Sequence, residues 1–253
     1  MYLSNISFEG KTIVITGGTQ GIGFAVATQC VELGGKVVLI GRNKEKAEAA
    51  CEKLVKDRAS YYLCDLGSAD SVQKVFERIV TENKVDVLIN NAGIVNTDDF
   101  SELTLENWNK VLNTNLTSVF LTCQIVFKSM AENGGGRIVN VASIAGKVGG
   151  GYLGTAAYAA SKAGVISLTK SVAKAGSGKN IYCNSVCPAY TKTPMVAGKL
   201  VGAKEDAILA AMNLHRAADP SEVASSILFL ASDAASFIQG ENLNCDGGML
   251  MNG

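Results

Sequence analysis

Tyr158 and Lys162 stand four residues apart in Thr155-Ala-Ala-Tyr-Ala-Ala-Ser-Lys-Ala163, a stretch with the composition of a helix. Four residues along a helix return to the same face, with Cβ atoms roughly 5–6 Å apart. A free phenol has a pKa of about 10, and a neighbouring ammonium favours phenolate and lowers it. The pair is suited to moving a proton to or from an alcohol or carbonyl oxygen. Ser143 closes an apolar run, Val139-Asn-Val-Ala-Ser143, where its hydroxyl either donates to a substrate oxygen or caps the strand. Asn115 lies inside the apolar helical stretch Leu112-Asn-Thr-Asn-Leu-Thr-Ser-Val-Phe120. A buried amide needs partners, so it bends the helix, holds a water or is a satisfied core group. A hydrolytic triad is not indicated: the single histidine, His215, falls in a long irregular segment, and no Gly-x-Ser-x-Gly elbow occurs.

A second set of residues has the chemistry of nucleotide binding. Thr16-Gly-Gly-Thr-Gln-Gly-Ile-Gly23 follows an apolar strand and opens a helix. Gly17, Gly21 and Gly23 permit a tight turn, close approach to a phosphate and close helix–strand packing. The helix N-terminus offers free N–H groups to a pyrophosphate. Thr19, Gln20 and Ile22 share that loop. It is not a P-loop, because no Gly-Lys-Ser/Thr follows. The second strand ends in Ile40-Gly41-Arg42, where an acidic residue would bind the ribose hydroxyls of NAD. Arg42 instead suits a 2′-phosphate by charge and forked geometry, unless it only points to solvent. NADP(H) is therefore favoured over NAD(H). Asp65, after the third strand, is placed to reach an adenine, with Leu66 offering backbone groups. Asn90-Asn-Ala-Gly93 ends the fourth strand, and its small residues Asn91, Ala92 and Gly93 keep a ligand crevice open.

These residues need a scaffold, and the hydrophobic pattern supplies one. Short apolar runs at 11–16, 36–40, 60–64, 85–90, 136–142, 180–186 and 243–246 alternate with helical segments at 21–33, 44–56, 68–81, 105–130, 155–175 and 221–231. Ser68 is the expected cap of the third helix. Strands that are almost wholly apolar are buried on both faces, and strand–helix alternation implies a parallel sheet covered on both sides. No linker divides the chain, so one α/β domain over 1–253 is expected, with a substrate lid at about 188–218 that lacks a strong assignment. Hydrophobic residues make up 47% of 253 residues, charged residues 18%, and the net charge is zero, which excludes a basic nucleic-acid surface. Low charge density also suits an oligomer. There is no apolar run of the roughly 20 residues that span a bilayer and no signal peptide at 1–10. Seven cysteines without a Cys-x-x-Cys read as thiols in a reducing, cytoplasmic setting, with no metal site.

In order and spacing, Thr16-Gly-x-x-x-Gly-x-Gly23, Asn90-Asn-Ala-Gly93, Asn115, Ser143, Tyr158-x-x-x-Lys162 and the segment from Pro188 to Thr193 resemble the short-chain dehydrogenase/reductase family over essentially the whole chain. The resemblance is to its 3-oxoacyl-carrier-protein-reductase-like and hydroxysteroid-dehydrogenase-like members. It implies a doubly wound Rossmann fold of about seven parallel strands with helices on both faces. It implies reversible hydride transfer between a nicotinamide and a ketone or secondary alcohol. The implied tetrad is Tyr158 as acid/base, Lys162 on the nicotinamide ribose, Ser143 on the substrate oxygen and Asn115 holding a water relayed through Lys162. Pro188, Thr191 and Thr193 would cover the nicotinamide. The chain departs from the family at Ala189, where glycine is common. It also departs at Gln20, where some NADP-dependent members carry a basic residue, leaving Arg42 to carry that preference. An NAD-dependent alcohol dehydrogenase of the same family is the alternative; a non-catalytic nucleotide sensor would need a broken tetrad. The substrate stays open among a 3-oxoacyl thioester, a steroid, a small cyclic ketone and a sugar-like polyol. The apolar residues of the lid either line a pocket for a lipophilic ketone or form a helical lid that buries its own apolar stripe. The family also implies a homotetramer built from the helices at 105–130 and 155–175, with 247–253 reaching a subunit interface.

Overall fold

The strands are β1 (Thr12–Thr16), β2 (Lys36–Gly41), β3 (Ala59–Leu63), β4 (Val87–Asn90), β5 (Gly136–Val141), β6 (Ile181–Pro188) and β7 (Asn242–Cys245). In this computed structural model, which describes residues 6–55 and 57–251, they pair in the order β3-β2-β1-β4-β5-β6-β7. Every pairing is parallel. This is the seven-stranded, doubly wound sheet that the sequence implies. Residues 1–5, part of the stretch without a signal-peptide pattern, lie outside the described residues. So do Lys56, the expected end of the second helix, and 252–253, the end of the C-terminal run.

Burial on both faces follows from the alternation along each central strand. In β1, Ile13 and Ile15 enter one core and Val14 the other. The first core is closed by α1 (Gly21–Glu32) and α9 (Pro220–Ala231), through Val26, Cys30, Val223 and Ile227. The second is closed by α3 (Ala69–Glu82), α5 (Ser118–Glu132) and α7 (Ala156–Ala175), through Phe76, Val126, Met130 and Val165. Ser68 caps α3 by accepting from the Ser71 N–H at 3.3 Å. Asp219 and Glu222 form a reciprocal capping box on α9 with Pro220 at its first position.

The structure departs from the sequence expectation at four elements. The second helix, α2, is Lys44–Glu52 rather than 44–56, because the chain turns at Leu54, whose N–H bonds to the Cys51 carbonyl at 3.1 Å. The long helix expected over 105–130 divides into α4 (Leu105–Leu112) and α5 across a wide π-turn at Asn113–Thr117. The glycine-rich loop before α7 holds a single helical turn, α6 (Ala145–Val148). The lid is not irregular throughout: α8 (Ala203–Ala211) lies in it and buries Ile208 against Tyr190, Leu200, Met212 and Ala217. Its ends are pinned together, since the Ala218 N–H bonds to the Tyr190 carbonyl and the Lys192 N–H to the Ala218 carbonyl, at 2.9 and 3.0 Å. Of the cysteines, Cys30, Cys64, Cys123, Cys183 and Cys187 are buried and Cys51 and Cys245 half-buried, all as free thiols. Among the described residues no helix is long and apolar enough to cross a membrane.

Candidate active site

The sheet order reverses between β1 and β4, which opens a crevice at the carboxyl ends of the strands. A cleft of about 1020 Å³ lies there. Its floor begins with the loop after β1. Gly17 is left-handed, with φ +65°, and a Cβ on Gly23 would stand 2.3 Å from the Gly17 carbonyl oxygen. Only glycines let α1 start this close to the strand, and a helix start is a place where a phosphate can be held. Thr16 fixes the crossover to β4: its hydroxyl oxygen accepts from the Asn91 and Ala92 N–H groups at 3.0 and 3.1 Å. The Asn91 amide donates back to the Thr16 and Gly17 carbonyls at 3.0 and 3.2 Å. Asn91 therefore shapes the loop with both amide donors while also lining the cleft. Thr16 is a residue of the site that sequence reasoning missed; its signal was a buried hydroxyl at the last strand position before the glycines.

Gly17, Thr19, Gln20, Gly21, Ile22, Arg42, Asp65 and Leu66 line one half of the cleft. Arg42 is exposed there, and among the described residues no carboxylate pairs with it. The Asp65 carboxylate accepts from the Gly67 N–H at 2.9 Å, which folds the loop and leaves its other oxygen open. Ala92, Gly93, Pro188, Thr191 and Thr193 line the other half. Thr193 closes over the glycine loop: a methyl on Gly21 would lie 3.4 Å from its Cγ2. Gly23 and Asn115 are not part of the lining and stand directly behind it.

Ser143, Tyr158 and Lys162 share one wall. The Ser143 oxygen accepts from the Ala145 N–H at 3.1 Å, which leaves its O–H to donate. Lys162 is 4% exposed and donates to the Val141 carbonyl at 2.7 Å. Burial pushes its pKa down to about 8, with Cys187 opposing. Its nitrogen stands 5.8 Å from the centre of the Tyr158 ring. Tyr158 is half-buried; burial pushes the phenol up and Ser143 pulls the other way. The expected lowering of Tyr158 by Lys162 is not met in this geometry, because the ammonium is itself desolvated and directed at Val141. A raised phenol holds its proton at neutral pH, which suits an acid. Asn115 spends both amide donors, on the Ile94 carbonyl at 2.9 Å and the Ser161 hydroxyl at 3.1 Å, and accepts from the Ile94 N–H at 2.8 Å. Its oxygen and the Lys162 nitrogen flank Gly93, 3.3 and 3.6 Å from a methyl built there. Beneath this wall the Asn90 amide donates to Asn140 at 2.9 Å and the Asn140 amide to Thr169 at 2.9 Å, a buried network that joins β4, β5 and α7.

Comparisons with known proteins agree with the architecture. A family model described as enoyl-(acyl carrier protein) reductase matches residues 17–250. An acetoacetyl-CoA reductase of Acinetobacter is 37% identical over 251 residues, 96% of this chain and 99% of that protein. A 3-oxoacyl-[acyl-carrier-protein] reductase of Chlamydia pneumoniae is 36% identical over 251 residues, 97% of this chain and 99% of its own. Among solved structures, a putative NAD(P)-dependent gluconate 5-dehydrogenase of Beutenbergia cavernae with bound NADP superposes with a TM-score of 0.91 at 34% identity, covering 97% of this chain and 98% of that one. With the glycine loop, the crevice and the Ser143–Tyr158–Lys162 wall assembled on one parallel sheet, the chain belongs to the short-chain dehydrogenase/reductase family of oxidoreductases.

Proposed function

We propose that this chain transfers hydride reversibly between NADP(H) and a ketone or secondary alcohol, with Tyr158 as general acid and base. The observation that carries the reading is the single wall on which Ser143, Tyr158 and Lys162 meet, in the same cleft as the glycine loop and Arg42. The residues present fit a dinucleotide. The Gly17–Gly23 turn leaves room for backbone to approach a pyrophosphate, Arg42 offers a free guanidinium to a 2′-phosphate, and Thr193 leans over Gly21. The nicotinamide would supply or accept the hydride. In reduction, the Ser143 O–H donates to the carbonyl oxygen and Tyr158 gives that oxygen its proton. In oxidation, Tyr158 takes the proton back. Lys162 keeps donors beyond the one used on Val141, and with the remaining lone pair of Asn115 it offers a path to reprotonate the phenol. We read the chain as one cytoplasmic domain with a lid at 188–218. It assembles as a homotetramer through α4, α5 and α7, and the exposed Leu105 and Phe120 support that assembly.

General acid–base help of this kind contributes about 10²–10⁴-fold. A panel of ketones and alcohols, read by the absorbance of the reduced nicotinamide with NADPH and NADH, identifies cofactor and direction together. Tyr158→Phe is expected to keep NADPH affinity and lose about 10²–10⁴ in kcat. A Tyr158→Phe protein with the wild-type kcat would remove the phenol from the mechanism.

A further inference from the structure

We infer that the site takes an uncharged ketone bearing an unsubstituted alkyl chain and disfavours ketoses and sugar acids; this rests on Ser143 and Tyr158 being the reacting end. The cleft is asymmetric in charge. Among the described residues, four charged ones line it: Arg42, Asp65, Lys110 and Lys162. Arg42 and Asp65 follow β2 and β3, in the half given to the cofactor. Lys110 lies one turn before Thr114, whose hydroxyl oxygen is 3.5 Å from a methyl built on Gly67, in the loop after β3. Lys162 is buried against Val141. Among the described residues, the part of the lining beyond Ser143, formed by the loop before α7, the lid and Met249, carries no charge. A carboxylate or phosphate next to the reacting carbonyl would lose water there without gaining a cation.

Asn96 and Tyr190, two polar side chains on that side, are already engaged. The Asn96 amide donates to Asp98 at 2.8 Å and its oxygen accepts from the Thr155 hydroxyl at 3.2 Å. Tyr190 donates to Glu205 at 2.7 Å. Ser143 and Tyr158 serve one oxygen, and the further lining hydroxyl on that side belongs to Tyr152, a residue 40% exposed. A second hydroxyl next to the reacting carbonyl would face carbon. That carbon comes from three separate segments: Leu153, Val196 and Met249 line the cleft and pack from behind on Leu200, Ile208 and Met212. Val148 and Tyr152 continue the wall and are 55% and 40% exposed, so the apolar lining runs out to solvent. That geometry accommodates a linear chain whose far end leaves the protein.

The test uses the full chain with its preferred nicotinamide. The kcat/KM is measured for straight-chain methyl ketones of increasing length, matched ketoses and a 5-oxo sugar acid. Each added methylene is expected to raise kcat/KM about three- to fourfold until the chain leaves the wall. The alkyl ketone should exceed its hydroxylated match by about 10²-fold. Val196→Ser and Leu153→Ser should flatten the length dependence, with NADPH affinity as the check on folding. A ketose or sugar acid reduced as well as its alkyl match, with turnover still lost in Tyr158→Phe, overturns the substrate class and leaves the hydride-transfer reading standing. Turnover that survives Tyr158→Phe overturns the acid/base reading instead. No turnover of any carbonyl overturns both.

Discussion

At the scale of single residues, Tyr158 depends on a neighbour without a side chain. A Cβ on Gly154 would lie 2.2 Å from Cδ1 of the Tyr158 ring and 2.9 Å from Cγ. The φ of Gly154 is outside the left-handed region, so the ring and not the backbone demands glycine. Gly154→Ala should fold, keep NADPH affinity and tilt the ring, and misplacement of about 1 Å costs about 10²-fold in kcat. In a Tyr158→Phe background the same change should cost little more, because the displaced hydroxyl is already gone; additive losses would show a general packing defect. Lys162 gives a second residue-scale prediction. Its folded pKa is depressed, to about 8 from 10.5, so between those values the unfolded chain holds a proton that the folded chain has released. Stability then rises with pH across that window. Below about pH 8 the buried ammonium weighs against the fold, by about 3 kcal/mol for a difference of this size. Wild type should gain on Lys162→Met as urea midpoints are followed from pH 7.5 to pH 10; parallel curves would place the lysine in water.

At the scale of elements, the π-turn at Asn113–Thr117 is the feature that aims the site. One extra residue in the turn rotates everything after it, and such insertions concentrate at functional sites. The turn is held by Asn115, whose amide pairs with both backbone groups of Ile94, and by the Ser118 hydroxyl, which donates to the Thr114 carbonyl at 2.6 Å. Asn115→Ala leaves two half-buried backbone groups of Ile94 unpaired and should cost about 2–4 kcal/mol in urea unfolding, with kcat falling as the wall beside Gly93 loosens. A loss too small to resolve would mean that water replaces the amide. The parallel strands and the glycine loop were legible in the sequence, because a run such as Lys11-Thr-Ile-Val-Ile-Thr16 has a single periodic reading and the glycines mark where it ends; the order of the strands came only with the structure. The helix break was legible only as a bend, one of the readings open for Asn115: 105–130 keeps a helical apolar pattern on either side of Asn115, and a π-turn disrupts that pattern by one residue only. The α8 lid helix was one of two open readings of the lid, and its bounds were not legible because its apolar residues pack within the lid and not on the sheet. The direction of the Tyr158 shift was out of reach for another reason. It depends on how far burial outweighs the Ser143 hydrogen bond, a quantity of three-dimensional packing.

At the scale of the whole molecule, the cleft is a joint between two halves of one sheet. The glycine loop, Arg42 and Asp65 come from the β1–β3 side, and Pro188 to Thr193 from the β6 side, where Thr193 and Pro194 approach Gly21. A dinucleotide lying in the cleft touches both halves, so it should stabilise the entire fold cooperatively and not one lobe of it. Occupancy at about 100 times Kd adds about 2.7 kcal/mol, which for a chain of this size raises Tm by about 5–10 °C. On the proposed reading, Arg42 selects which nicotinamide achieves this. With an exposed guanidinium that no carboxylate of the described residues engages, NADPH should give the larger rise at equal concentration. Arg42→Asp replaces attraction for the 2′-phosphate with repulsion and restores an acceptor for ribose hydroxyls. The variant should therefore lose the NADPH increment while keeping that of NADH. Gly23→Ala, whose methyl meets the Gly17 carbonyl at 2.3 Å, should remove both increments by deforming the loop common to them. Thermal scans of the three proteins with each cofactor separate these outcomes. If Arg42→Asp weakens NADPH and NADH alike, the arginine serves the loop and not the phosphate, and the source of any NADP preference must be sought nearer Thr19 and Gly41.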